Sequence, residues 1–135
     1  MTIDDAIQRS AFAILEDGLF LFLDPDDAGG PAEGVAYTMA IEGGAPAEVG
    51  LVLEPAVARQ LAAGMLGVDE EEIDDPTGRA SVAEALNMLA GHLVALVEGD
   101  RAERDLCPPV EGGSPRGHVA GFQTDGGRLT LWYAS

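Results

Sequence analysis

From Val82 to Val97 the apolar residues Val82, Leu86, Leu89, Leu93, Leu96 and Val97 follow one another at spacings of four, three, four, three and one. That rhythm keeps one stripe of an α-helix pointed at a core. Asp75-Pro76 marks where such a helix starts, and Gly99 lies just beyond its end at about Glu98. A helix this long, apolar along one stripe only, must lie on a second layer that buries the stripe. The rest of the chain therefore has to supply that layer.

Strand signals are grouped between helices rather than alternating with them. Thr2 can cap a first helix, with Asp4 and Asp5 in its opening turn and Ile3, Ile7, Ala11, Ile14 and Leu15 along one face; Gly18 ends it. Leu19 to Leu23 reads as a short, fully apolar strand, followed by an Asp-, Gly- and Pro-rich loop from Asp24 to Gly34. Val35 to Ile41 and Ala47 to Leu53 read as two further strands, joined by a Gly-Gly-containing turn. Pro55 then opens a second helix with Val57, Leu61 and Met65 on its inner face and Leu66 beside them, closed by Gly67. After an acidic connector and the long helix, Leu106 to Val110 is a strand broken by prolines. Gly117 to Gln123 and Arg128 to Tyr133 form a hairpin around Asp125-Gly126-Gly127. The expected fold is α+β: a mostly antiparallel sheet of about five to six strands packed with two long helices and a short one, in the order α-β-β-β-α-α-β-β-β. With 135 residues and no internal repeat or linker, the chain reads as one domain, 1–135.

Charge narrows the function classes. There are 24 acids against seven bases, all Arg, for a net charge of −17. Such a surface repels nucleic-acid phosphates and anionic lipid, so no nucleic acid and no membrane are expected as partners, and a basic or cation-bearing partner is favoured. No signal-peptide pattern opens the chain, and its longest strongly apolar run, Gly18 to Leu23, is too short to span a bilayer. These features predict a cytoplasmic protein. The lone Cys107 excludes an internal disulfide and reads as a buried structural thiol.

Few side-chain patterns carry chemistry. The acidic run Asp69 to Asp75 lacks the ligand spacing and central Gly of an EF-hand loop, and so does Asp24-Pro-Asp-Asp. His92 and His118 have no metal-ligand companion at short spacing, and no phosphate-cradling glycine motif or nucleophile-elbow serine is present. No metal or cofactor bound by this chain is expected. The exception is the outer face of the long helix. At roughly 100° per residue the side opposite the stripe carries Ala80, Glu84, Asn87, Met88, Gly91 and Ala95. Glu84 and Asn87 are neighbours there, an acid that can hold a partner's cation beside an amide that can hold a water. Gly91 and Ala95 allow a partner surface to approach closely, and Gly91 costs about 1 kcal/mol relative to Ala inside a helix. Ala80, Met88, Gly91 and Ala95 are thus the candidate partner-binding residues.

The run Glu84-Ala-Leu-Asn87-Met88-Leu-Ala90-Gly91 resembles the Glu-x-x-Asn-Met-x-x-Gly signature of the CheX/CheC-type chemotaxis phosphatases. Upstream, Leu51 to Gly67 and the acidic connector resemble what precedes the signature in CheX-like domains; downstream, Leu106-Cys-Pro-Pro-Val-Glu-Gly resembles the family's Pro-containing strand. The resemblance implies dephosphorylation of a phosphorylated CheY-like receiver. Glu84 would contact the receiver's lysine, Asn87 would orient the attacking water, and any Mg²⁺ would sit in the receiver. A single Glu-x-x-Asn resembles the CheX branch, which implies a homodimer sharing strands. The alternative on the same fold is a non-catalytic receiver-binding or scaffold module; a small-ligand or metal-binding domain is the third class.

Overall fold

The computed structural model describes residues 1–99 and 103–135. Among them, seven strands form one antiparallel sheet and the helices form a layer on one of its faces. The strands are β1 (Asp24–Pro25), β2 (Val35–Glu42), β3 (Ala47–Leu53), β4 (Asp105–Leu106), β5 (Val110–Glu111), β6 (His118–Thr124) and β7 (Gly127–Ala134). They lie in the order β1-β6-β7-β3-β2-β4, with β5 also on β2. The helices are α1 (Ile3–Ser10), continued by a π-helical stretch Ala11–Gly18, then α2 (Pro55–Leu66), a 3₁₀ turn Glu70–Glu72, and α3 (Asp75–Glu98). The predicted α+β class and element order hold.

Two hairpins, β2–β3 and β6–β7, are joined at the centre of the sheet by β3 and β7, with Leu51 opposite Leu131 and Gly50 opposite Trp132. Because side chains alternate along a strand, Met39, Ile41, Val49, Leu51, Leu53, Leu129, Leu131 and Phe122 form one inward row. They meet Ile7, Leu15, Leu61, Leu86, Leu89 and Leu93 from the helices in a single core. Each of these large side chains is fully buried, worth about 1.5–3 kcal/mol apiece relative to exposure. The first helix starts as its sequence indicates. The Thr2 hydroxyl accepts from the Asp5 amide at 3.1 Å, and the Asp5 carboxylate accepts from the Thr2 amide at 3.3 Å, a reciprocal capping box.

The strand expected at Leu19–Leu23 does not form. The helix runs through Gly18, and Phe20 turns the chain with a left-handed φ of 63°. The next amides are then claimed locally. Phe20 N–H donates to the Glu16 carbonyl, Leu21 N–H to the Leu15 carbonyl, and Leu23 N–H to the Glu16 carboxylate. With those donors used on the helix end, only Asp24–Pro25 reaches β6. The segment 19–23 is a strap that buries Leu21 and Leu23 and leaves Phe20 and Phe22 outside.

Other departures are smaller. The proline-broken strand is two strands, which brings the sheet to seven. Its register shifts by one residue between Ile41–Leu106 and Tyr37–Glu111, so Cys107–Pro109 hold a one-residue bulge. Cys107 in that bulge is half-buried rather than buried, because an edge strand has no second neighbour to cover it. Leu66 is exposed where α2 runs past the core. Finally, α3 as a whole is long and apolar enough to cross a bilayer by length and composition. The run-length reading missed this because Glu84, Asn87 and His92 interrupt the run; the leucine stripe itself is buried in protein.

The outer face of the sheet is covered by loops instead of helices. Arg128 donates to the Asp26 carboxylate and to the Asp26 and Gly30 carbonyls, and Ala32 N–H donates to Thr130 Oγ1, so the 26–34 loop is tied across β7. Gly112 N–H donates to the Ala36 carbonyl, and Arg116 lies over the Trp132 ring at 5.6 Å. Trp132 is thereby buried on a face that an antiparallel sheet often leaves wet. Its indole occupies the space above Gly50, where a Cβ would collide with the ring. Gly50→Ala should therefore destabilise the fold by about 2–3 kcal/mol. It should also red-shift the emission of Trp132, the chain's one tryptophan; denaturant melts followed by fluorescence check both.

Candidate functional site

The long helix is set in place at both ends and along both flanks. Asp74 caps it, its carboxylate accepting from the Thr77 amide at 2.8 Å, and Pro76 occupies the first turn, where a missing N–H costs nothing. That hydrogen bond holds the Asp74 carboxyl below its ordinary range. At the other end the Gly99 amide donates to the Ala95 carbonyl. On one flank the buried Ser10 hydroxyl lies 2.9 Å from His92 Nδ1, joining α3 to α1. On the other flank α3 is pinned to the sheet edge. Arg79 pairs with Glu111 of β5, and Arg104, beside β4, reaches Glu98 at 2.6 Å while also donating to the Glu42 carbonyl.

The inward side of α3 is broader than the stripe predicts. Val82, Leu86, Leu89 and Leu93 are fully buried as expected; Leu96 and Val97 are half-buried; and Ala85, Ala90 and Val94 are buried as well. Small residues in a leucine-rich helix carry little periodic signal, so only packing reveals them. What remains outside is a narrow ridge. Ala80, Glu84, Asn87 and Met88 are exposed, and Gly91 and Ala95 are half-buried on its margin. The structure thus puts all six predicted residues on one outer face, with Glu84 and Asn87 one turn apart. Among the described residues, neither side chain takes part in a hydrogen bond or an ion pair, so both are available to a partner.

Gly91 differs from the glycines that the fold requires. Among the described residues, a Cβ at 91 would meet only Leu106 Cδ1, at 3.9 Å, an ordinary contact. The fold therefore has no steric need for glycine there, in contrast with Gly50. Residues missed at the sequence level are the ones that steer the helix: Ser10, His92, Arg79, Arg104 and Leu106. Apart from Glu98, six residues from Arg104, their partners lie far away in sequence, and no local pattern announces them.

Competing chemistry finds little support. Burial and the neighbouring Glu42 push the Cys107 thiol up, away from the reactive thiolate. Asp26 is engaged by Arg128, and Asp27 accepts from the Gly121 amide, so that acidic loop staples the sheet. Among the described residues, no group of three or more His, Cys, Asp or Glu is arranged to hold a metal ion.

Two measurements probe this geometry. Gly91→Ala should stabilise the protein by about 1 kcal/mol, since the helix gains propensity and loses nothing to sterics; thermal unfolding reads it. Asp74 contributes stability above the usual carboxyl value of 3.8, lost as pH falls through its lowered pKa. Asp74→Asn still caps but does not titrate, so the melting-temperature gap between wild type and variant should be widest above pH 3.8 and close on further acidification.

A family model described as "Chemotaxis phosphatase CheX" matches residues 35–110, a span that includes β2, β3, α2 and all of α3. Among solved structures, the chain is similar to chemotaxis protein CheX from Vibrio vulnificus, with a TM-score of 0.77 and 16% identity, covering 98% of this chain and 97% of that one. It is also similar to CheX from Desulfovibrio desulfuricans, with a TM-score of 0.75, 16% identity and 99% of each chain covered. A third similar structure is the CheX-CheY-BeF3-Mg complex from Borrelia burgdorferi, with a TM-score of 0.74 and 17% identity over 98% and 97% of the two chains. Identities this low carry the fold alone. No curated protein matches the chain.

Proposed function

The chain belongs to the CheX family of chemotaxis phosphatases, and we propose that it hydrolyses the aspartyl phosphate of a CheY-like receiver through Glu84 and Asn87. The observation that carries this reading is the ridge of α3: an acid and an amide one turn apart, both exposed and, among the described residues, without a hydrogen-bond or ion-pair partner, on a helix whose opposite face is buried. A related fold has been crystallised as a complex with CheY, which supports a receiver as the kind of partner.

The division of labour follows from side-chain chemistry. An acyl phosphate is already reactive, so aligning a water with the phosphorus and excluding other solvent supplies much of the acceleration. The Asn87 amide can accept from a water and donate to a phosphoryl oxygen, and it need not take a proton. Glu84 contacts the receiver's lysine and fixes how deeply Asn87 enters. The flat margin at Gly91 and Ala95 lets the receiver's surface close over the ridge, with Ala80 and Met88 at its ends. The receiver carries the Mg²⁺ that neutralises phosphoryl charge; this chain supplies position. The net charge of −17 suits a partner presenting a lysine and a metal. The protein then works in the cytoplasm with its receiver. The strand-sharing homodimer of the resemblance would use the sheet edge at the β4–β5 segment, away from the acidic strap that leads into β1.

The test is the decay of a phosphorylated receiver from the same organism, followed with and without the protein. Asn87→Ala should cut the acceleration by roughly 100-fold with an unchanged melting temperature, because residue 87 is exposed. Glu84→Ala should weaken receiver affinity along with turnover. An unfolded or fully active Asn87→Ala variant would remove the assigned role. Receiver binding with no change in phosphate lifetime would make the protein a binding module on the same fold.

A further inference from the structure

Away from α3, the strap and the end of α2 expose apolar side chains that the core does not explain. Phe20 and Phe22 are each 69% exposed, and Leu66 and Val68 are 56% and 38% exposed. The two segments meet. The Leu19 carbonyl would lie 2.8 Å from a Cβ at Gly64, so the strap rests on the last turns of α2, just before Leu66. Phe20 is the more telling of the pair. Its backbone is left-handed, a position that Gly would fill without strain, and its ring is not buried in return. Neither fold stability nor solubility accounts for phenylalanine at 20 and 22.

The surroundings narrow what such a surface fits. From 16 to 24 the chain carries Glu16, Asp17 and Asp24, beside Asp26, whose charge Arg128 offsets; from 69 to 75 it carries a second set of acids. Neither stretch contains Arg, Lys or His. A second copy would bring two such acidic rims together, and an anionic membrane would be repelled. A cationic segment with an apolar face matches both features at once. We infer that Phe20, Phe22, Leu66 and Val68 form a docking surface for a basic amphipathic helix on a partner protein, separate from the α3 ridge.

The probe is a synthetic helical peptide with leucines at i, i+3, i+4 and i+7 and lysines elsewhere, beside a permuted peptide of the same composition with its leucines scattered. Binding is measured calorimetrically at about 0.15 M salt, where long-range attraction is screened. The wild-type protein should bind the amphipathic peptide about tenfold more tightly than the permuted one. Phe20→Ser/Phe22→Ser should abolish that preference while keeping the melting transition. If the strap variant fails to fold, Leu66→Ser/Val68→Ser makes the same test from α2. Equal affinity for the two peptides, or a preference that survives the folded variant, would overturn the inference. So would a wild-type dimer that the variant dissolves in sedimentation, which would make a second copy the occupant. Wild-type binding to phosphatidylcholine vesicles that the variant loses would assign the surface to lipid instead. Receiver dephosphorylation by the variant should remain at the wild-type rate, since the ridge of α3 is untouched.

Discussion

Everything about the candidate site depends on one packing constraint, the burial of the α3 leucine stripe on the central strands. Val82, Leu86, Leu89 and Leu93 have no solvent exposure, and rotating the helix by even one residue would bring polar side chains into that layer. A helix locked in rotation by one face has its opposite face determined as well. Glu84 and Asn87 therefore point outward with no hydrogen bond or ion pair of their own among the described residues. The pins at Ser10–His92, Arg79–Glu111 and Arg104–Glu98 add position along and across the sheet. Together they make a rigid helix, rather than a mobile loop, the carrier of the two polar groups. That is the better scaffold for a mechanism resting on alignment.

The opposite face of the sheet shows how the domain closes without a second helical layer. Arg128 gathers the 26–34 loop, Arg116 covers Trp132, and Gly50 leaves room for the indole. Among the described residues, four arginines, at 79, 104, 116 and 128, are in ion pairs, so part of the small basic complement is spent on internal ties. The surface left to partners is correspondingly acidic, which favours the cationic partners inferred both for the α3 ridge and for the strap.

Glycines separate structural need from interface need. Gly50 is required by the ring above it, and Gly67 ends α2 in a left-handed conformation. Gly91 has neither reason, and its Cβ would find ordinary space. A glycine that costs helix stability without an internal return is consistent with the docking role proposed for it, the same logic that singles out Phe20.

The sequence by itself determined the long helix, the face carrying Glu84 and Asn87, the two hairpins and the α+β class. All of these rest on local periodicity, caps and turn residues, which are written within a few residues of where they act. It was misleading at Leu19–Leu23, where apolar, β-prone residues are not a strand because the end of the first helix takes their amides. It was silent on the buried alanines of α3, the bulge at Cys107–Pro109 and the ties from His92, Arg79 and Arg104. Those were decided only in the tertiary structure, because each depends on a partner in another element of the fold. A hydrogen-bond donor or an alanine carries no mark in the sequence of what will be packed against it.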